Sequence, residues 1–272
     1  MLIVNQQNLK KEVIKKSFRE GNVVCLTGAG ISAESGIPTF RGKGGLWEKY
    51  DPEIYAYTEG LISILKTQPQ DLVNFIADFY SLILKAHPNP AHVALAFLEK
   101  EGILSSIITQ NVDNLHRLAG SRSVIELHGN AFRIRCMGCK NKIILEKEGV
   151  GEFIQSLKRN RHSRFKMLKV LSHYFPRCNC GSRYRIDIVL FGEMLPEDEL
   201  TRAYKELDKC NTLLIVGSSL VVYPAAGLPL YAKEKGAKLI EINNEPSALS
   251  EFCDYKIFGL ASKVLPEILC IN

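Results

Sequence analysis

The chain is 272 residues long, 46% hydrophobic and 24% charged, enough to bury a full core as one large domain or as a large domain with a smaller companion. No apolar run nears the roughly 20 residues that cross a bilayer, and Met1-Leu2-Ile3-Val4-Asn5 lacks the charged-then-apolar order of a secretion signal, which argues against a membrane protein and predicts a cytoplasmic one. The formal charge of +6 invites nucleic acid as a partner, but Lys158, Arg159, Arg161, Arg164, Lys166 and Lys169 stand without an acid between Ser156 and Lys169, and subtracting these six leaves the rest formally neutral.

In chain order, a polar amphipathic helix is expected from about Gln7 to Arg19, then a buried strand from Asn22 to Leu26 that is apolar at consecutive positions. A Gly-rich turn, Gly28-Ala29-Gly30-Ile31-Ser32-Ala33, follows at once, and Gly36 and Pro38 limit the helix after it to about one turn. Gly44-Gly45 and the single Trp47 suggest a mobile flap over 42–52 that packs onto a bound ligand. From Asp71 to Ala86, Leu72, Phe75, Ile76, Phe79 and Ile83 recur at helical spacing, an excursion from the sheet that Pro88-Asn89-Pro90 ends. Alternation resumes with helix Ala91 to Glu99, strand Leu104 to Thr109, short helix Asn114 to Leu118 and strand Val124 to Leu127. A second excursion, about Ala131 to Arg185, precedes strand Asp187 to Phe191, helix Glu197 to Leu207, strand Thr212 to Val216, helix Ala226 to Lys235 and strand Lys238 to Ile242. Repeated strand-helix-strand order predicts an α/β fold with a parallel sheet covered on both faces.

Chemistry gathers at the strand ends, where open α/β sheets hold ligands. Gly28 and Gly30 are read as leaving backbone N–H groups uncovered beside Ser32, where a pyrophosphate can sit against a helix N-terminus; the bland alternative is a tight turn after a buried strand. His128 follows an apolar strand and shares its edge with Gln110, Asn111 and Asp113, so its imidazole is placed for proton transfer near neutral pH. Asn111 and Asp113 offer a carboxamide and a carboxylate to a polar heterocycle, and Asp113 reads equally as the cap of the short helix. Gly217-Ser218-Ser219 offers a second cradle, and Asn243 and Glu245 stand where a dinucleotide fold presents a polar group to a ribose. Of the eight cysteines, Cys136 and Cys139 (C-x-x-C) and Cys178 and Cys180 (C-x-C) suit one closed tetrahedral zinc site, whereas Cys25, Cys210, Cys253 and Cys270 read as buried small side chains.

From Val23 to Pro266 the chain resembles the sirtuin (Sir2) family of NAD-dependent protein deacylases. The motifs that carry the resemblance are GAGISAESGIPTFRG at 28–42, GLW at 45–47, TQNVDNLHRLAG at 109–120, ELHGN at 126–130, the cysteine pairs, FGEMLP at 191–196, GSSLVVYPAAGLP at 217–229 and IN at 242–243. It implies a Rossmann-like NAD-binding domain (1–47, 91–130 and 187–272) and a small domain made of the helical insertion (48–90) and a zinc module (131–186). NAD and acyl-lysine would enter the cleft between them from opposite sides.

By the same resemblance, Ala29 and its loop contact the pyrophosphate, Gln110 and His128 face the nicotinamide ribose, and Asn111 and Asp113 line the nicotinamide pocket with Ile37 and Phe40. Ser218, Asn243 and Glu245 hold the adenosine half, and the cofactor set also takes in Gly28, Gly30, Ala33, Arg41, Val112, Gly217, Ser219 and Ala261. His128 and Asn111 are the implied catalytic residues. Val189 and Phe191 would sandwich the lysine stem, while Gly192, Glu193 and Val221 lie where backbone pairs with an extended peptide. The positions that bind an acidic acyl group in succinyl-preferring relatives hold Ile76 and Phe79, so an uncharged acyl group is expected. The family's Arg-Pro before FGE is Arg185-Ile186 here, and C-x-C replaces its second C-x-x-C. Acyl-lysine proteins, including ones held on DNA or chromatin, are the implied partners. The basic run at 156–169 lies outside the motifs and reads either as a solvated helix face or as a weak, non-specific nucleic-acid contact through phosphates. Two alternatives stay open at this stage: mono-ADP-ribosyl transfer to protein, and a non-catalytic NAD-sensing or chromatin-binding module.

Overall fold

The computed structural model describes residues 6–39 and 44–269. Helix α1 (Gln6–Arg19) leads into strand β1 (Val23–Thr27), a 3-10 stretch (Ala29–Ser35) and helices α2 (Leu46–Lys49), α3 (Pro52–Tyr55), α4 (Thr58–Thr67), α5 (Pro69–Lys85) and α6 (Pro90–Lys100). Next come β2 (Leu104–Thr109), α7 (Leu115–Leu118), β3 (Val124–Glu126), β4 (Gly129–Cys136), β5 (Lys142–Ile144), α8 (Lys147–Asn160), α9 (Arg164–Tyr174) and β6 (Tyr184–Ile188). The chain closes with α10 (Glu197–Leu207), β7 (Thr212–Val216), α11 (Leu228–Glu234), β8 (Lys238–Asn243), β9 (Tyr255–Phe258) and α12 (Ala261–Leu269). No helix among the described residues is long and apolar enough to cross a membrane.

Six strands form one parallel sheet in the order β3-β2-β1-β7-β8-β9. This is the doubly wound Rossmann arrangement, in which the strand order reverses between β1 and β7 and opens a crevice beyond their carboxyl ends. Both central strands, Val-Val-Cys-Leu-Thr and Thr-Leu-Leu-Ile-Val, are buried along their whole length, as strands covered on two faces must be. On one face Ile14, Phe18, Leu95, Leu98, Leu265 and Ile268 bring α1, α6 and α12 onto the sheet. On the other, Ala203, Leu207, Leu228 and Ala232 do so for α10 and α11.

A three-stranded antiparallel sheet, β5-β4-β6, is separate from the first. Its helical partners meet in a second core of Val73, Ala77, Tyr80 and Ile83 from α5, Phe153, Ile154 and Leu157 from α8, and Met167 from α9. The strand expected at Asp187 to Phe191 is therefore displaced. It runs Tyr184–Ile188 and pairs with β4 rather than joining the parallel sheet. Charge on the facing strand accounts for this: Asp187, 1% exposed, accepts from Arg133 Nε at 2.6 Å and lies 3.0 Å from Arg135 Nε, both on β4. The sequence reading also left out β9, α12, α3 and α4, while the predicted flap contains α2.

Candidate active site

Two glycine turns touch across the switch point. A Cβ added at Gly28 would come within 2.8 Å of the Gly217 carbonyl oxygen, one at Gly30 within 2.8 Å of Gly217 Cα, and one at Gly217 within 2.2 Å of Ile31 N. Gly217 also has φ +61, a left-handed conformation that glycine adopts without steric cost. The reading of free N–H groups at Gly28 and Gly30 is corrected: Gly28 N–H donates to Val216 O at 3.1 Å and Gly30 N–H to Gly217 O at 2.8 Å. The glycines serve close backbone approach, and the Ala29 N–H at the start of the 3-10 turn finds no acceptor among the described residues. An anion in the crevice would meet that amide.

Around this seam the strand ends are tied to one another. Asn111 Nδ2 donates to Gly28 O and to Ser32 Oγ, each at 3.1 Å, and Ser32 Oγ donates to Asp113 Oδ2 at 2.7 Å. The other Asp113 oxygen accepts from Leu115 N–H at 2.9 Å, so Asp113, one residue before the N-cap Asn114, satisfies the first amide of the short helix and both its carboxylate oxygens are engaged within the protein. Burial pushes the Asp113 pKa up, against the pull of the Leu115 and Ser32 donors. Gln110 Nε2 donates to Ser218 Oγ at 2.9 Å, and Asn243 Nδ2 donates to Ser218 O at 3.0 Å. Four strand ends (β1, β2, β7 and β8) are thus tied to one another.

His128 lies between β3 and β4 with Nδ1 2.9 Å from Gln110 O. A carbonyl oxygen only accepts, so Nδ1 carries the proton and Nε2 keeps a free lone pair. Burial lowers the His128 pKa, partly offset by that carbonyl, which keeps the imidazole neutral and basic at pH 7. Two residues before it, buried Glu126 accepts from Asn130 Nδ2 at 2.6 Å, Arg133 Nη1 at 2.7 Å and Arg117 Nε at 3.1 Å. Burial alone would raise the Glu126 pKa, but the Arg117 and Arg133 charges outweigh it and hold the carboxyl below its ordinary value. These ion pairs tie β3 to β4, the strands on either side of His128.

The loop after β6 and the helices α2 to α5 bring together an aromatic and apolar cluster. Phe191, 37% exposed, meets Trp47 edge-on at 6.3 Å and Tyr57 at 5.7 Å, and Trp47 stacks on Phe75 at 6.4 Å. Ile37, Ile76, Phe79, Val112 and Ile188 pack against one apolar cluster. The loop holding Gly192 (φ +78) is fastened by Glu193, whose carboxylate accepts from Arg185 Nη1 at 2.6 Å, Arg185 Nη2 at 3.1 Å and Thr58 Oγ1 at 2.9 Å.

In the small sheet, Cys136, Cys139, Cys178 and Cys180 place their sulfurs within 4.8 Å of one another, with Cys136 to Cys180 at 3.4 Å and Cys139 to Cys178 at 3.6 Å. Tetrahedral zinc with Zn–S near 2.3 Å needs sulfurs about 3.8 Å apart. The four thiols fit that ion, and the one-residue spacer does not prevent Cys180 from joining the cluster.

A model of the Sir2 family matches residues 28–224. The chain belongs to the Sir2 family. An NAD-dependent protein deacylase of Pyrococcus furiosus is 47% identical over 260 residues, covering 95% of this chain and 96% of the relative. A structure solved under the heading of the mechanism and regulation of Sir2 enzymes superposes with a TM-score of 0.75 at 42% identity, covering 96% of this chain and 97% of that one. A Sir2 structure with p53 peptide and NAD+ superposes with a TM-score of 0.74 at 34% identity, covering 95% and 96%.

Within this Sir2 chain the structure brings Gly28, Ala29, Gly30, Gln110, Asn111, Asp113, His128, Gly217, Ser218 and Asn243 to one crevice. Phe40 and Arg41 lie outside the described residues. Half-buried Ala33 is on the 3-10 turn, while Ser219 and Glu245 are exposed on the loops after β7 and β8. Ala261 is buried in the core at the start of α12, beside Ser262, which donates to Glu34 of the 3-10 turn. Val189 follows β6, with its N–H on His128 O at 2.9 Å, and Val221 is 45% exposed. Residues that the sequence reading did not assign are Thr58, Phe75, Glu126, Arg133 and Asp187. Thr58, Phe75 and Asp187 find their partners in distant segments, whereas Glu126 and Arg133 pair with each other seven residues apart across the turn between β3 and β4, a spacing that carries no periodic signal.

Proposed function

We propose that this Sir2 chain removes acetyl, or another uncharged acyl group, from lysine side chains of proteins, consuming NAD and releasing nicotinamide, O-acyl-ADP-ribose and the free lysine. The observation that carries it is His128 at the edge of the switch-point crevice, with Nδ1 locked on the Gln110 carbonyl and Nε2 left as a base. NAD supplies a ribose carbon made electrophilic by a departing nicotinamide. The Gly28–Gly30 and Gly217 seam with the Ala29 amide fits its pyrophosphate, and Gln110, Ser218 and Asn243 present polar groups on the ribose side. Asn111 and Asp113, immobilised through Ser32, would shape the nicotinamide side with Ile37 and Val112.

His128 takes a proton from a sugar hydroxyl through Nε2. Phe191 and Val189 flank the lysine stem, and the apolar wall with Ile76 and Phe79 disfavours charged acyl groups, since burying an unpaired charge there is costly. Four thiolates would hold zinc as a structural ion with no open position. We place the large domain at 1–47, 91–130 and 187–272 and the small one at 48–90 and 131–186, with acyl-lysine proteins bound to DNA or chromatin among the substrates, since the basic run at 156–169 favours polyanion-bound partners.

The test is incubation with NAD and an acetyl-lysine peptide, following both products by mass spectrometry beside His128→Ala. NAD-dependent loss of acetyl with O-acetyl-ADP-ribose, abolished in the variant, is expected. ADP-ribose attached to protein without deacetylation would overturn the reading.

A further inference from the structure

The helices α8 and α9 form a hairpin whose tip holds the basic run. Lys158 and Arg159 end α8, where cations complement the negative end of the helix dipole, so local stability accounts for them. The first turn of α9 is the reverse. Arg164 and Lys166, with no acid beside them, stand at the positive end of their helix, where each charge costs stability. None of Lys158, Arg159, Arg161, Arg164, Lys166 and Lys169 has an ion-pair partner among the described residues. Asp78 on α5 is near enough to Lys158 to feel its charge, but Asp78 is bonded to Lys49 and Tyr50.

Amid these cations Phe165 is 80% exposed. It is not a core residue out of place: the buried side of α9 is filled by Met167, 1% exposed, with Val170 and Leu171 packed against Phe153, Ile154 and Leu157. The turn itself is held, since Gln70 Nε2 at the start of α5 lies 3.2 Å from His162 Nδ1 and Ser163 Oγ caps α9 through Lys166 N–H. An exposed aromatic ring flanked in sequence by cations that have no ion-pair partner among the described residues has the chemistry of a single-strand platform, on which a base stacks while neighbouring phosphates meet Lys and Arg. A membrane surface would require a broad apolar face to insert, and here the hairpin offers only Phe165 and Leu168, neighbours one turn apart on α9, with Lys166 and Lys169 beside them on the same helix.

We propose that the α8–α9 tip docks single-stranded nucleic acid, with a base stacked on Phe165 and phosphates on Arg161, Arg164 and Lys166. This rests on reading 156–169 as a phosphate-contacting run and adds a preference for unpaired bases, which a pure phosphate contact would not give.

The experiment is fluorescence anisotropy of the full chain with a labelled single-stranded oligonucleotide of about 12 nucleotides and with the matching duplex, across a salt series. Tighter binding of the single strand is expected, with Phe165→Ala weakening it about tenfold while duplex binding stays nearly unchanged. Arg161→Glu with Arg164→Glu should weaken both and flatten the salt dependence. Equal affinity for the two forms, with Phe165→Ala silent, overturns the stacking platform and leaves the phosphate contact standing. No binding of either at low salt overturns both. Binding to phosphatidylserine vesicles that Phe165→Ala abolishes, without oligonucleotide binding, overturns the assignment in favour of a membrane. Deacylation of a free peptide should be unchanged in all variants, and matching thermal melts check that they fold.

Discussion

Acid should weaken this fold through two buried histidines behind the ends of β1 and β2. His92 of α6 and His116 of α7 are 0% and 2% exposed, with ring centroids 4.9 Å apart. His92 Nδ1 accepts from Asn89 N–H in the cap of α6, and His116 Nε2 lies 2.9 Å from Thr27 Oγ1, which donates to Thr109 Oγ1; that hydroxyl in turn accepts from Asn111 N–H. Burial lowers the His92 pKa to about 4, and burial together with the neighbouring His92 lowers that of His116. In the unfolded chain both would titrate near 6.5, so their neutral forms cost nothing above that pH, and stability is lost as pH falls through 6.5 toward the depressed folded values. For His92 alone the loss between about pH 7 and about pH 5 is about 2 kcal/mol, and His116 adds to it in the same direction. Urea unfolding across that pH range measures it. His92→Gln, which removes the titrating group, should fall less steeply than the wild type by about that 2 kcal/mol. Parallel pH profiles for the two proteins would refute the reasoning.

Since burial lowers the His128 pKa, the acid limb of kcat/KM should lie below the ordinary histidine value near 6.5; a limb above it in a pH–rate profile contradicts a buried base. Glu193→Gln keeps the loop's shape but loses its charge-assisted bonds to Arg185, so peptide KM should rise about five-fold with kcat little changed, as steady-state kinetics with varied peptide would show. Gly217→Ala must place a Cβ against Ile31 N at a left-handed φ, costing about 2 kcal/mol or more and weakening NAD binding, measured by calorimetry and thermal melts. Chelation, or Cys178→Ser, should release zinc and lower the melting temperature of the protein; a melt indifferent to a chelator counts against a structural ion.

Much of the site was legible because its signals are local. Gly28, Gly30 and Gly217 mark turns, His128 and Asn111 follow apolar strands, and the C-x-x-C and C-x-C spacings mark a metal site. The same reasoning misjudged what the glycines do. Their N–H groups appear free in a single turn, and only a second turn from β7, nearly 190 residues away, shows that they are occupied and that the missing Cβ is the point. Strand β6 was misplaced for a related cause: Asp187 is paired by Arg133 and Arg135, a match between strands that no window around 187 contains.

The sequence by itself determined the alternation of strand and helix, the burial of β1 and β7 and the residue types at each strand end, because backbone propensity and hydrophobic periodicity act over a few residues. Tertiary structure alone decided which strand ends meet at the switch point, that Asp113 spends both oxygens on Ser32 and Leu115, that Glu193 is tied to both Arg185 and Thr58, and that Phe165 faces solvent among unpaired cations. Those are facts about contacts between distant segments. They follow from how the sheets and helices pack, and they set the protonation and rigidity on which the chemistry depends.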